Sequence, residues 1–232
     1  MKSPINQKQK NRGFMQVAVD AVVFTIVDND LKILLIRRKY PPFKGKYALP
    51  GGFVEQNENL EQAVQRELEE ETNVRNIFLK QLSTYGDVDR DPRGRVLSVA
   101  FLALISSDRK LRASTDAMAA QWHSIRKIPA LAFDHKKIVD EALQELRYQV
   151  QTTNIAFQIL PKKFTLTQLQ QLYEAVLEKE LDKRNFRKRI KELDILVETN
   201  ETMMEGAHRP AKLYFFRDQK YMPISDKIQV FL

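Results

Sequence analysis

The sequence predicts an α/β domain, a sheet covered by helices, followed by a smaller module of short helices and a hairpin. Three observations carry this. The runs 16–27 (QVAVDAVVFTIV) and 96–105 (VLSVAFLALI) are β-branched and apolar at consecutive positions, a pattern strands show when both faces of their sheet are covered. Segments with an apolar stripe at helical spacing alternate with those runs. After residue 150 the texture changes to short amphipathic helices, one of them strongly basic, and then two more apolar strands.

A chain of 232 residues suggests one large or two small domains, and an apolar fraction of 43% is ample for a core. There is no cysteine, which excludes disulfides, thiolate metal sites and a cysteine nucleophile and fits a reducing, cytoplasmic setting. Residues 1–13 lack the apolar core of a signal peptide. No apolar run approaches the ~20 residues that a membrane span needs. The formal charge of +8 fits either a soluble protein with no special partner or one that meets a polyanion. The position of the charge decides between them.

The chain is expected to open with a basic arm, residues 1–13, carrying Lys2, Lys8, Lys10 and Arg12 and no acid. Residues 14–150 form the first domain. Runs 16–27 and 31–38 read as a hairpin turned by Asp28-Asn29-Asp30. A short strand over 44–49 leads into Pro50-Gly51-Gly52. The following helix begins near Asn57–Asn59, and Leu60, Ala63, Val64 and Leu68 make its apolar face. Strands are expected over 77–82, 96–105 and 121–125, then a helix from His135 to about Tyr148. The polar loop 85–95 (YGDVDRDPRGR) opens beside the central strand, a usual place for binding residues. His123 and His135 have no metal-ligand spacing and read as structural or exposed.

The helix after Gly52 holds the chemistry. Glu67, Glu70 and Glu71 stand at i, i+3 and i+4 near the negative end of the helix dipole, where like charges repel. A sequence that keeps such a cluster points to a bound cation, and hard oxygen donors suit magnesium, manganese or calcium rather than zinc or copper. Glu67 and Glu71 continue the line of Leu60 and Val64, so they face inward. Arg66 reads as either a surface arginine or a brace for one of the glutamates. Arg37, Arg38 and Arg93 are candidate phosphate ligands, and Gly52, Phe53 and Tyr47 candidate contacts to the rest of a nucleotide, each with packing as the alternative.

Residues 151–232 are expected to fold as short helices over 155–160, 166–180 and 183–193, then strands over 195–198 and 212–217. That order is the order of a winged helix-turn-helix. In the third helix Phe186, Ile190 and Leu193 face inward, and Arg184, Arg187, Lys188 and Lys191 lie opposite. With Lys183 and Asn185 they form a stripe on the helix that would enter a DNA groove, while His208 and Arg209 tip the wing. A charge run is more often a solvated face. Here the acids Glu174, Glu178 and Glu180 sit on the preceding helix, so the charge is segregated, and DNA is the favoured partner.

Residues 52–74 match the Nudix box G-x5-E-x7-R-E-U-x-E-E-x-G-U, with Asn73 in place of the second glycine. The whole chain, with RDPRGR before its central strand and HRPAKLYFF in its wing, resembles the Nudix-related transcriptional regulators (NrtR). The resemblance implies an α/β/α sandwich with a mixed sheet and magnesium at Glu67, Glu70 and Glu71. It also implies a nucleotide-sugar effector such as ADP-ribose, and a homodimer that represses NAD-metabolism genes from a palindromic operator. If the site also cuts its ligand, Glu70 and Glu71 are the catalytic pair, and Asp87, Asp89 and Asp91 are positional candidates for a base. A magnesium-dependent ADP-ribose pyrophosphatase, alone or combined with repression, is the competing expectation.

Overall fold

The computed structural model describes residues 14–75, 77–107, 120–204 and 210–224. The expected basic arm, His208 and Arg209 lie outside them. Two long strands at the centre of one sheet, β1 (Gln16–Val27) and β6 (Val96–Leu104), run parallel with Val19 opposite Val99. β1 turns through Asp28 and Asn29, both at positive φ, into β2 (Asp30–Arg37). These are the conformations and residue types that two-residue hairpins favour. β3 (Tyr47–Ala48) and β5 (Phe78–Tyr85) complete the order β3-β2-β1-β6-β5, while β4 (Gly51–Phe53) pairs with β1 and β7 (Gln121–Ser124) with β2.

The pleat sorts side chains between two helices. Val19, Ala21 and Val23 of β1 and Val99, Phe101 and Ala103 of β6 face α1 (Leu60–Thr72), meeting Ala63, Val64 and Leu68. Val22, Phe24, Ala100, Leu102 and Leu104 face the other way, onto Ile138, Val139, Ala142 and Leu146 of α2 (His135–Thr152). Period-two alternation that is apolar on both sets is therefore an α/β/α sandwich. α1 starts at Asn59 in a capping box with Gln62 and ends at Asn73 in the left-handed conformation, φ 57°. Asparagine accepts that conformation where the box pattern has glycine.

The expected boundary at residue 150 falls inside the last turn of α2. The core that holds α2 continues without a break into Ile155, Phe164, Leu169, Tyr173, Val176, Phe186 and Phe216 of the second module. A 3-10 turn, Ile155–Gln158, stands where a helix over 155–160 was expected. Then come β8 (Phe164–Thr165), α3 (Leu166–Leu177) and α4 (Lys183–Glu192). β9 (Leu196–Met203) and β10 (Ala211–Phe216) close a three-stranded sheet in the order β8-β10-β9. This is the winged helix-turn-helix. β9 runs past Glu198 to Met203 because its backbone pairs with β10 as far as Ala211, despite a polar sequence. Among the described residues no helix is long and apolar enough to cross a membrane.

Candidate functional site

The carboxylates of α1 are presented to β4. Gly51 N–H donates to Glu71 Oε2 at 2.9 Å, and a side chain on Gly52 would collide with the Glu67 carboxylate. Gly52 thus holds Glu67 by having no side chain. Arg66 acts as a brace. It donates to both oxygens of Glu58 at 3.0 and 2.7 Å, to Glu67 at 2.8 Å and to the Phe53 carbonyl at 3.1 Å. Burial pushes Glu67 above the usual carboxylate range, against the pull of Arg66 and with help from Glu70 and Glu58. Glu71 is pushed up to about 8, first by burial and then by Glu67 and Asp20, although Gly51 N–H opposes the shift. Glu70 is exposed and stands 3.5 Å from Arg66.

These donors suit a hard divalent cation: oxygen ligands on one helix face, two of them raised in pKa by burial and acidic neighbours that positive charge would relieve. Among the described residues no group of three or more acids or histidines is gathered tightly enough to cage an ion unaided. Glu67 accepts from Arg66 and Glu71 from Gly51 N–H.

Glu71 gives the first expected result. Its ionisation is disfavoured in the fold, so its contribution to stability is fully present below about pH 4.5, the unfolded value, and is lost as pH rises through about 8. In chelator-treated protein the melting temperature should fall between pH 5 and 8. Glu71→Gln should flatten that fall, and an unchanged profile in the variant would show that Glu71 does not titrate there.

Within electrostatic reach of Glu71 lies a cluster of arginines and aromatic rings. The Arg38 guanidinium sits 4.7 Å from the Phe133 ring centroid, and Arg93 sits 4.8 Å from Phe53 and 5.7 Å from Phe133. Phe43 packs edge-on against Phe133 at 4.8 Å. Burial and then Arg93 lower the pKa of Arg38, which marks two like charges held near each other. Arg93 is tied to Asp91 through both its Nε and its terminal nitrogen. Burial pushes Asp91 up, but those bonds outweigh it and hold Asp91 below the usual range. Among the positional base candidates, Asp91 is therefore occupied, and Asp87 is exposed, 3.6 Å from Lys137.

Arg38, Gly52, Phe53 and Arg93 come together as candidate ligand contacts. Arg37 does not join them: the last residue of β2, it is exposed and donates from Nε to the Gly45 carbonyl at 3.0 Å. Tyr47 packs edge-on against His123 instead. Beneath the cluster lies a buried polar network that the sequence reading missed. Arg90 binds Asp134 through two nitrogens at 3.0 and 2.7 Å and lies 3.7 Å from Asp20. Ser98 donates to Asp20, and His135 Nε2 is 3.5 Å from the same carboxylate. His135 Nδ1 accepts from Leu49 N–H at 2.9 Å, and burial lowers its pKa, so it stands neutral. The one available signal was Asp20, an acid in the middle of an otherwise apolar strand.

In the second module Asp182 caps α4 by accepting from Asn185 N–H at 2.8 Å. Phe186 and Ile190 are buried, and Lys183, Arg184, Asn185, Lys188 and Lys191 are exposed. Arg187 is half-buried, with an Nε that has no hydrogen-bond partner. On the wing, Glu198 takes Lys212 and accepts from Tyr214 Oη at 2.9 Å. Five of the six α4 residues of the expected stripe are thus exposed, and Arg187 is not.

A NUDIX domain model matches residues 17–143, and a model of the NrtR DNA-binding winged helix domain matches 156–216. The chain is 35% identical over 209 residues to the ADPR-responsive transcriptional repressor NtrR of Acinetobacter baylyi, covering 88% of this chain and 83% of that protein. The chain belongs to the NrtR family. Among solved structures, Shewanella oneidensis NrtR complexed with a 27mer DNA has a TM-score of 0.77 at 35% identity, over 87% of this chain and 93% of that one. The NUDIX domain of the same NrtR, complexed with ADP ribose, has a TM-score of 0.53 at 36% identity over 61% of this chain and 94% of that one. An ADP-ribose pyrophosphatase of Methanocaldococcus jannaschii is 45% identical over 128 residues, covering 55% of this chain and 73% of that protein. These likenesses place the glutamates in the Nudix part and the basic helix in the part that is specific to NrtR.

Proposed function

We propose that the protein is a transcriptional repressor whose Nudix domain binds ADP-ribose and whose α4 reads operator DNA, with the nucleotide favouring release. The observation that carries this is the coexistence, in one chain whose core is continuous, of an arginine–aromatic cluster within electrostatic reach of Glu71 and Asp20 and an exposed basic helix. The likeness to the A. baylyi and S. oneidensis proteins supports both halves. Arg38 and Arg93 take the pyrophosphate, and Phe53 and Phe133 offer ring faces to the base or sugar. Glu67, Glu70 and Glu71 hold magnesium or manganese. When bound, that ion neutralises pyrophosphate charge. Two copies form a dimer on a palindromic site, with half-sites one helical turn or a multiple apart. The working setting is the cytoplasm, and genes of NAD metabolism are the expected targets.

Binding of ADP-ribose tests the first half. Arg38→Ala removes a charge-assisted contact worth about 1.5–3 kcal/mol, so calorimetry should show the nucleotide affinity falling roughly tenfold to a hundredfold. Arg37→Ala, outside the cluster, should leave it unchanged. Equal losses in the two variants would refute the assignment of the pocket.

A second reading has its own support. The box glutamates are all retained, and the M. jannaschii relative is a pyrophosphatase. On this reading the same site cuts ADP-ribose slowly, and Glu71→Gln abolishes release of AMP while leaving DNA binding intact. Chromatography of the nucleotide after incubation with magnesium decides whether it does.

A further inference from the structure

One element joins the nucleotide pocket to the DNA-reading module. α2 begins at the pocket, where Phe133 adopts φ 52°, a left-handed conformation that bulky side chains rarely take. Its ring lies beside both pocket arginines. The next residue, Asp134, makes no side-chain cap for the helix because its carboxylate is spent on Arg90. Strained backbone of this kind persists where surrounding contacts hold it, and it clusters at switch regions.

The other end of α2 meets α3. Arg147 Nε donates to the Val176 carbonyl at 3.0 Å, and its terminal nitrogen pairs with Glu178. Arg126, from the turn after β7, lies 3.7 Å from the same carboxylate. Glu178 ends α3 at φ 52°, and the chain then runs to Asp182, the cap of α4. Arg126, in the Nudix part, and Arg147, near the end of α2, therefore hold the residue at which the chain bends toward the DNA-reading helix. Between the two ends Ile138, Val139, Ala142, Leu146 and Val150 are buried in the shared core. A close-packed helix of this kind has little room to absorb a shift at one end without passing it on.

From this arrangement we propose that α2 couples the two sites. A bound nucleotide diphosphate draws Arg38 and Arg93 away from the Phe133 ring, the start of α2 shifts, and Arg147 and Glu178 carry the shift to α4. The proposal rests on the repressor reading above and names its regulatory route. Arg147 and Glu178 belong to neither binding site.

The test uses full-length protein. Operator affinity is measured by fluorescence anisotropy with and without saturating ADP-ribose, and ADP-ribose affinity by calorimetry without DNA. In Glu178→Gln and Arg147→Gln, nucleotide-free operator affinity and nucleotide affinity should stay within about twofold of wild type. The ratio of operator affinities without and with nucleotide should fall about three- to fivefold. Arg147→Lys, which keeps the charge, should retain most of the wild-type ratio. The Gln variants lie on different elements, so a folding defect in one leaves the other decisive. A wild-type ratio in a folded Gln variant overturns the coupling route, whereas a wild-type protein with no nucleotide effect overturns the repressor reading instead.

Discussion

Replacing Arg184 and Lys188 together with alanine should lower operator affinity by roughly tenfold to a hundredfold and reduce the slope of log affinity against log salt by about two. Both side chains lie on the exposed side of α4, across the helix from Phe186 and Ile190. Neither supports the core, so the melting temperature should stay within a degree or two, since surface substitutions usually change stability by less than about 0.5 kcal/mol. Lys188 stands 4.0 Å from Glu192, an exposed pair too weak to resist exchange for a DNA phosphate. Loss of affinity with an unchanged salt slope would point to base contacts instead. No loss at all would remove α4 from the interface.

Phe186→Ala should destabilise the protein by about 3–5 kcal/mol, the range for truncating a buried aromatic side chain. Phe186 is 1% exposed and meets the Tyr173 ring edge-on at 5.5 Å. It and Ile190 are the buried residues of a ten-residue helix, and so short a helix takes most of its stability from tertiary packing. DNA binding should be lost even though no DNA-facing side chain is altered. Because the core runs unbroken from α4 to the central sheet, denaturant unfolding should remain a single transition. A separate early transition for the second module would show that the two parts unfold independently.

Some features were legible in the sequence because their signals are local. The glutamate cluster follows from spacing along one helix, and Asn73 ends that helix in the left-handed conformation that asparagine accepts. The stripe of α4 follows from the 3.6-residue period, and the sandwich from apolar alternation in β1 and β6. Other features depend on partners distant in sequence. β4 forms from Gly51-Gly52-Phe53 because β1 offers it hydrogen bonds, not because glycine favours strands. Arg90, Asp134 and His135 appear as a loop charge and an ordinary helix start until folding gathers them around Asp20. The boundary expected near residue 150, at the end of the helix from His135, lies in the last turn of α2; that Val150 packs in a core shared by both modules is a tertiary feature no local signal carries.

The central claim, that one chain binds operator DNA and releases it when ADP-ribose occupies the Nudix domain, is tested most directly by a gel shift. The assay uses full-length protein and DNA upstream of the protein's own gene neighbours, with and without ADP-ribose, while the nucleotide is followed for cleavage. The predicted result is a salt-sensitive complex that dissociates as intact ADP-ribose is added and persists with Arg38→Ala at the same nucleotide concentration. A complex indifferent to saturating ADP-ribose, or the absence of a complex at low salt, would contradict it.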